Sequence, residues 1–535
     1  MSTPLSAPGQ PGTVPGQKSR HTTLNLATIV AVGFAVCLAQ IGLAVPATLN
    51  GTFQTVLHPT GASQLDWISD CILLPIAALE LTFGVLGDLF GRKRLLVGGS
   101  LVLLVGEVIS SASTGVVQMY IGQFIAGLGS AALFPTTLAI IASGSRTHAG
   151  RARMIALWAA LLSFGNFIAP MLGGLTATYA NWRLAFWIIA ILAAIVAVFS
   201  QVFAEDSRSP EGRSLDMPGQ ITVGLGLFAL LYAVIEGPTA GWGSPTIIVS
   251  FVLAAALLVA FVVVETRVAN PLLRMDLFKN RAFALAAAVT VVGMFSFLGT
   301  AYAISIRMEV IQHQSAIRTA VAFILLSGLA IFLFPLTSFM MSHWQPRWIL
   351  TLGFALMGVG EFLASRMPIT DTALTTIIVP MGLVGIGFAF AVSSVTATVV
   401  NTVPPKLAGM AAATTSMVRD FGFAMGPAVI GAIALSKAGT LFNSAVDADS
   451  SLSAIKAAAE GAGPVVVNSV PPAEAISKAA SHAVPALDSG YSLGFLIVSI
   501  AALLCAVTTA LFLGGKSEQE AEIAMIEHGQ DAAVA

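Results

Sequence analysis

Apolar residues fill this chain in long blocks of about twenty positions or more, separated by short polar turns. A hydrocarbon core about 30 Å thick needs roughly 20 apolar residues per helix. Measured against that length, spans are predicted at 24–49, 66–88, 94–113, 117–143, 151–179 and 183–204. Two more fall at 216–236 and 245–266, and six at 282–305, 317–342, 346–366, 374–402, 407–436 and 490–513. The chain therefore reads as an all-α membrane protein with fourteen crossings. Residues 1–23 are polar and rich in Pro, Gly and Ser, which predicts a disordered tail. They lack the short apolar core and cleavage site of a signal peptide, so the first helix is expected to stay in the protein. A second tail, 514–535, follows the last span.

Composition agrees with that reading. Of 535 residues, 56% are hydrophobic and 10% are charged, where soluble domains carry about 25% charged residues. Lipid, not water, is expected to solvate most of the chain. A formal net charge of −1 gives no case for a nucleic-acid partner. Cys37, Cys71 and Cys505 lie singly in apolar runs, and the histidines show no metal-ligand spacing, so no disulfide framework or metal site is indicated. Lys and Arg in the short loops set the orientation. With the N-terminus inside, seventeen of them face inward, Arg92, Lys93 and Arg94 among them. Seven face outward (Arg183, Arg307, Arg318, Arg366, Lys437, Lys456 and Lys478), and Arg419 falls within a span. Both termini are expected in the cytoplasm.

The turn after the second span, "GVLGDLFGRKRLLVGG", concentrates charge between two apolar runs. Interface anchoring explains basic residues in any membrane protein. The order Gly84-x-x-x-Asp88-x-x-Gly91-Arg92-Lys93-Arg94 is more specific. Its glycines permit close helix approach, and Asp88 ends a helix where it can pair with cations or a facing helix N-terminus. Such a pair can hold the cytoplasmic side shut. This order closely resembles the loop motif of the major facilitator superfamily. In the fifth span, Gly165, Ala169, Gly173 and Ala177 make a small-residue stripe, and Pro170 removes a backbone donor. Gly165…Pro170-x-x-Gly173-Gly174 followed by Asn181-Trp182-Arg183 resembles the antiporter motif of drug exporters in this superfamily, with Ala169 where the family usually has glycine. The thirteenth span repeats the theme in "RDFGFAMGPAVIGA", as a fold of repeated halves would.

Fourteen spans are similar to the drug:proton antiporter branch. That resemblance implies a six-helix bundle over 24–204, two extra helices with linkers over 205–281, and a second bundle over 282–513. An Ala/Ser-rich extracellular loop would occupy 437–489, with short surface helices near Ser450–Gly461 and Ala473–His482. Two departures bear on mechanism. Gln40 stands where the branch usually has an aspartate in the first span, and Gln123 where the fourth usually has an arginine. A buried acid–base pair would then be neutral at both positions, which avoids leaving one charge unpaired.

Other ionisable residues remain inside the spans and are functional candidates by default. Asp70, Glu80 and Asp420 are candidates for handling protons or substrate, with Arg419 beside Asp420. Glu107 and Glu361 lie in spans expected to be peripheral, where interface roles are common. Arg307 and Glu309 are expected to pair as an outer gate. Phe34, Phe295, Phe297 and Phe388 are read as core or lipid contacts, with a cavity lining as the alternative. "GGKS" at 514–517 resembles the end of a phosphate-binding loop, but Ala510 stands where the leading glycine would be, and no strand precedes it.

The expected function is secondary transport by alternating access: proton-coupled export of hydrophobic or amphipathic small molecules. No cofactor is expected, with the proton gradient as energy source. The partners are the bilayer and the substrate; the protein is expected to be a monomer in the cell membrane. Because Gln40 and Gln123 remove the usual pair, facilitated or differently coupled flux is the alternative, and a non-transporting sensor or scaffold is a second. No nucleophile–base or metal constellation supports an intramembrane enzyme.

Overall fold

In lipid, every backbone N–H needs an internal partner, so long apolar blocks become helices. The computed structural model describes residues 25–61, 63–143, 148–207, 215–268, 271–401, 408–469, 471 and 474–513. Among them, fourteen helices are long and apolar enough to cross a membrane, and no strand occurs. In the first half they are α1 (Leu26–Ala44), α2 (Ser63–Phe90), α3 (Arg92–Ser111), α4 (Val116–Ser143), α5 (His148–Tyr179) and α6 (Arg183–Phe203). Then come α7 (Met217–Ala240) and α8 (Pro245–Glu265). The second half has α9 (Arg281–Ser305), α10 (Ala316–Phe323 continued through a π-turn to Leu329–His343), α11 (Pro346–Ala364), α12 (Leu374–Asn401), α13 (Ala408–Ala448) and α14 (Ala480–Phe512).

Local chemistry sets several helix starts. The side chains of Asn25, Asp216 and Asn280 accept hydrogen bonds from the first turns of α1, α7 and α9. Pro245 and Pro346 occupy the first turns of α8 and α11, where a missing N–H costs nothing.

Helices α1–α6 pack on one another, as do α9–α14, and the two groups meet along α2/α13 and α5/α10. Helix α7 lies over both α2 and α13, with α8 outside it, largely exposed. Glycines bring the backbones together. A Cβ on Gly106 would collide with the Ala126 backbone across α3/α4, and one on Gly360 would sit 2.6 Å from the Pro380 carbonyl oxygen across α11/α12. Gly99, Gly106 and Glu107 of α3 recur at one constant offset as Gly353, Gly360 and Glu361 of α11. Gly165, Pro170 and Gly174 of α5 recur likewise as Gly422, Pro427 and Gly431 of α13.

The segment 437–489 differs from the expected loop. Helix α13 continues to Ala448, a short helix covers Lys456–Ser469, and α14 already begins at Ala480. Phe442, Val446, Leu452, Ala459, Val467 and Ala483 form a small separate core there. Alanine is the best helix former, so an Ala-rich segment with its own apolar face extends the flanking helices instead of looping.

Candidate functional site

The charged turn is built around Gly91, whose φ of 108° is a conformation that L side chains rarely adopt. It lets α3 start one residue after α2 ends. Arg92 then reaches back to Asp88 at 2.8 Å, donates to the Ala139 carbonyl at 3.2 Å, and its N–H donates to the Ser207 carbonyl at 3.1 Å. The Lys93 N–H donates to Asp206 Oδ1 at 3.3 Å, while Arg94 is exposed. All of these contacts lie within the first half. The charges brace α2, α3, α4 and the segment after α6. Close approach at Gly84 is not required either: a Cβ there would meet Pro135 at an ordinary 3.5 Å.

The stripe on α5 serves two neighbours. A Cβ on Gly165 would lie 2.6 Å from the Cys37 carbonyl oxygen, and one on Gly173 would run into Thr48, so this face seats α1 and its extension. A Cβ on Gly174 would lie 2.9 Å from both the Ala316 oxygen and the Ala320 Cβ of α10, in the other half. On α13 the same arrangement holds: Gly422 and Gly426 seat α9, and Gly431 meets Asp66 of α2, across the halves. Pro170 is buried within α5, which runs on through it.

Gln40 and Gln123 have separate partners. Gln40 Nε2 donates to Asn166 Oδ1 at 2.8 Å, and the Asn166 carbonyl accepts from Ser327 across α5/α10 at 3.3 Å. Gln123 Nε2 donates to Ser110 Oγ at 2.9 Å across α3/α4. Two neutral amides thus serve two different contacts.

Of the charged candidates, Glu80, Arg419 and Asp420 come together. Arg419 Nε lies 2.8 Å from Asp420 Oδ1, and its Nη2 lies 3.9 Å from Glu80 on α2. One guanidinium is shared by two carboxylates from the two halves. Arg307 and Glu309 do not pair. Arg307 is bound to Asp488 at 3.0 Å and donates to the Met367 carbonyl at 2.6 Å, inside the second half. Glu309 instead accepts the Gly51 N–H at 2.7 Å, across the halves. Their side chains diverge because residues two apart lie on opposite faces of a helical turn, here the π-turn over Ile306–Ile311 that ends this span. Beside them Asn50 donates to Ser305 Oγ at 3.0 Å, and Ser305 donates to the Ala47 carbonyl at 2.6 Å.

The supposedly peripheral acids are fully buried. Glu361 accepts from Ser296 at 2.6 Å and Thr300 at 3.0 Å. Glu107 packs against Gly42 of α1 and has no hydrogen-bond partner among the described residues. Phe297 and Phe388 stack with ring centroids 3.5 Å apart, and Phe34 is exposed.

Asp70 is buried on α2 with neither oxygen bonded among the described residues. One turn before it stands Asp66, also buried, which accepts from the Tyr302 hydroxyl of α9. Glu236 of α7 accepts from Trp67 Nε1 at 2.8 Å. Sequence reasoning singled out neither Asp66 nor Glu236. The available signal was the four-residue spacing of Asp66 and Asp70, which shares one helix face. It was hidden because the span was expected to start at residue 66, while α2 starts at Ser63.

Known proteins bear on this arrangement. Multidrug resistance protein Stp of Mycobacterium tuberculosis is 28% identical over 373 residues, 70% of this chain and 69% of that one. The tetracenomycin C resistance and export protein of Streptomyces glaucescens is 25% identical over 422 residues, 78% of this chain and 77% of that one. Among solved structures, a bacterial homologue of the human lysosomal transporter Spinster, in an inward-facing and unoccupied conformation, matches with a TM-score of 0.61. That match covers 92% of this chain and 98% of the other at 14% identity, and so speaks for the fold. The Major Facilitator Superfamily matches residues 27–427. With two repeated halves, paired cross-half seams and that match over most of its length, the chain belongs to the Major Facilitator Superfamily, a family of membrane transporters.

Proposed function

We propose that this transporter exports hydrophobic or amphipathic small molecules by alternating access, driven by protons moving the opposite way. The observation that carries the reading is where the two halves touch through polar groups. At one end stand Gly51–Glu309, Asn50–Ser305 and Asp66–Tyr302; toward the other stands Glu80–Arg419. Contacts of this kind are worth about 1–3 kcal/mol each. They hold an end closed yet can break within a transport cycle. The relatives named for multidrug resistance and for tetracenomycin C resistance and export support the substrate class and the direction. The Lys/Arg distribution supports cytoplasmic termini in the cell membrane, with Gly51–Glu309 on the outer side. Two halves in one chain complete the transport unit, which supports a monomer.

Facilitated or differently coupled flux is the second reading, favoured by the neutral Gln40 and Gln123. Ethidium flux in proteoliposomes decides, with the pH gradient imposed, reversed or abolished. Ethidium should move uphill only against an imposed proton flow. Equal flux in all three conditions overturns proton coupling.

A further inference from the structure

The repeat gives the two cross-half seams equivalent positions but not equivalent chemistry. Gly174 of α5 meets Ala316 and Ala320 of α10, whereas its counterpart Gly431 of α13 meets the carboxylate of Asp66 at 2.7–2.9 Å from a built Cβ. The fold is therefore satisfied by alanine at such a seam, and an acid there needs another reason. Asp66 and Asp70 sit one turn apart on one face of α2, both fully buried. Asp66 Oδ2 and both oxygens of Asp70 are unbonded among the described residues.

Among the described residues, the titratable groups that act on Asp66 and Asp70 carry no positive charge. Around Asp66 they are Asp70 on its own helix, Tyr120 of α4, Glu236 of α7, Tyr302 of α9 and Tyr491 of α14, with Cys71 beside Asp70. Helix α13 meets the Asp66 carboxylate at Gly431. Burying neighbouring carboxylates without a counter-ion is costly, so closing this seam requires something to neutralise them. A metal ion needs a shell of about six converging oxygens, and no group of His, Cys, Asp and Glu able to hold a metal occurs among the described residues. A proton needs only one carboxyl oxygen.

We infer that Asp66, with Asp70 beside it, is a proton-binding site whose occupancy allows the seam between the halves to close at the Gly51–Glu309 end. It deepens the proton-coupled reading above and supplies the coupling group that Gln40 and Gln123 do not. Tyr302 is a positioning residue: its hydroxyl holds Asp66 Oδ1 and leaves Oδ2 for the proton.

The test uses the full chain in proteoliposomes, with cysteines at Thr178 and Ile317, where the Ile317 N–H donates to Thr178 Oγ1 across the halves at 3.2 Å. Oxidative crosslinking of this pair reports closure without any substrate. Measured relative to a Thr351/Thr509 cysteine pair within the second half, which corrects for the pH dependence of the thiolate itself, crosslinking should be about tenfold faster at low pH than at high pH in the parent chain. It should be pH-independent in Asp66→Asn, and Tyr302→Phe, which keeps the ring, should shift the pH at which it switches. A parent chain whose crosslinking ignores pH, or Asp66→Asn and Tyr302→Phe variants that both keep the parent's pH response, overturns the inference. Control by sodium at fixed pH overturns it in favour of a metal cation. Ethidium flux that ignores a pH gradient overturns the transport reading instead, whatever the crosslink does.

Discussion

Gly84 and Gly91 belong to one motif yet answer to different constraints. Gly91 holds a backbone conformation closed to most L residues, whereas Gly84 lies in a helix with room for a Cβ. Gly91→Ala should therefore destabilise the protein by about 1–3 kcal/mol. Gly84→Ala should change stability by less than about 1 kcal/mol, and thermal unfolding in detergent distinguishes them. Equal losses would mean that the motif's glycines share one role. Asp88→Asn should slow ethidium flux while abundance holds, because it removes the partner of Arg92 at a brace between four segments and leaves the lipid-facing surface unchanged. At this scale the sequence showed which residues matter but not what each one touches. Arg307 and Glu309 make the point: close in sequence, they lie on opposite faces of one turn, and one binds within its own half while the other reaches across to Gly51.

Element lengths follow from hydropathy only where the polar boundary is sharp. The fourteen crossings were legible because each apolar block matches the bilayer. The ends of α13 and α14 were not, because alanine and serine carry little hydropathy yet favour or tolerate helix. The cap they form is held at its corner by Asp449, which accepts from the Ser451 N–H at 2.9 Å and pairs with His482 at 3.0 Å. The Ser451 hydrogen bonds, followed by His482, hold the Asp449 carboxyl down to about 2. A carboxyl depressed in the folded state contributes stability above its unfolded value of 3.8, and that contribution is lost as pH falls toward about 2. Asp449→Asn should accordingly speed amide exchange over Ser450–Leu452 and the following helix at neutral pH. The difference from the parent should shrink as pH falls through that window. A difference that persists undiminished below it would remove the electrostatic account.

For the whole molecule, the repeated halves were visible in the glycine and proline spacing of α5 and α13, but the pairing of α2 with α13 was not. Asp66 and Glu236 become candidates only once α9 and α7 are known to lie beside α2. The same cross-half geometry separates Glu309 from Arg307 in function. Glu309 binds Gly51 in the opposite half, so Glu309→Ala removes a contact present only when that end is closed. A net hydrogen bond is worth about 0.5–1.5 kcal/mol, which shifts the open-to-closed ratio by up to about tenfold. Arg307 binds Asp488 and Met367 within its own half, in both states of the cycle if the halves move as bodies. Arg307→Ala should thus lower thermal stability while leaving that ratio near the parent value. Ala316→Cys provides the readout, because Ala316 is buried against Gly174 when this end is shut. Labelling by a membrane-impermeant maleimide, added outside, should be a few-fold to about tenfold faster in Glu309→Ala and little changed in Arg307→Ala. Faster labelling in both variants would make the outer end one cooperative network in which each ionic contact bears on closure. Labelling only from the cytoplasmic side would invert the topology that the Lys/Arg count implies.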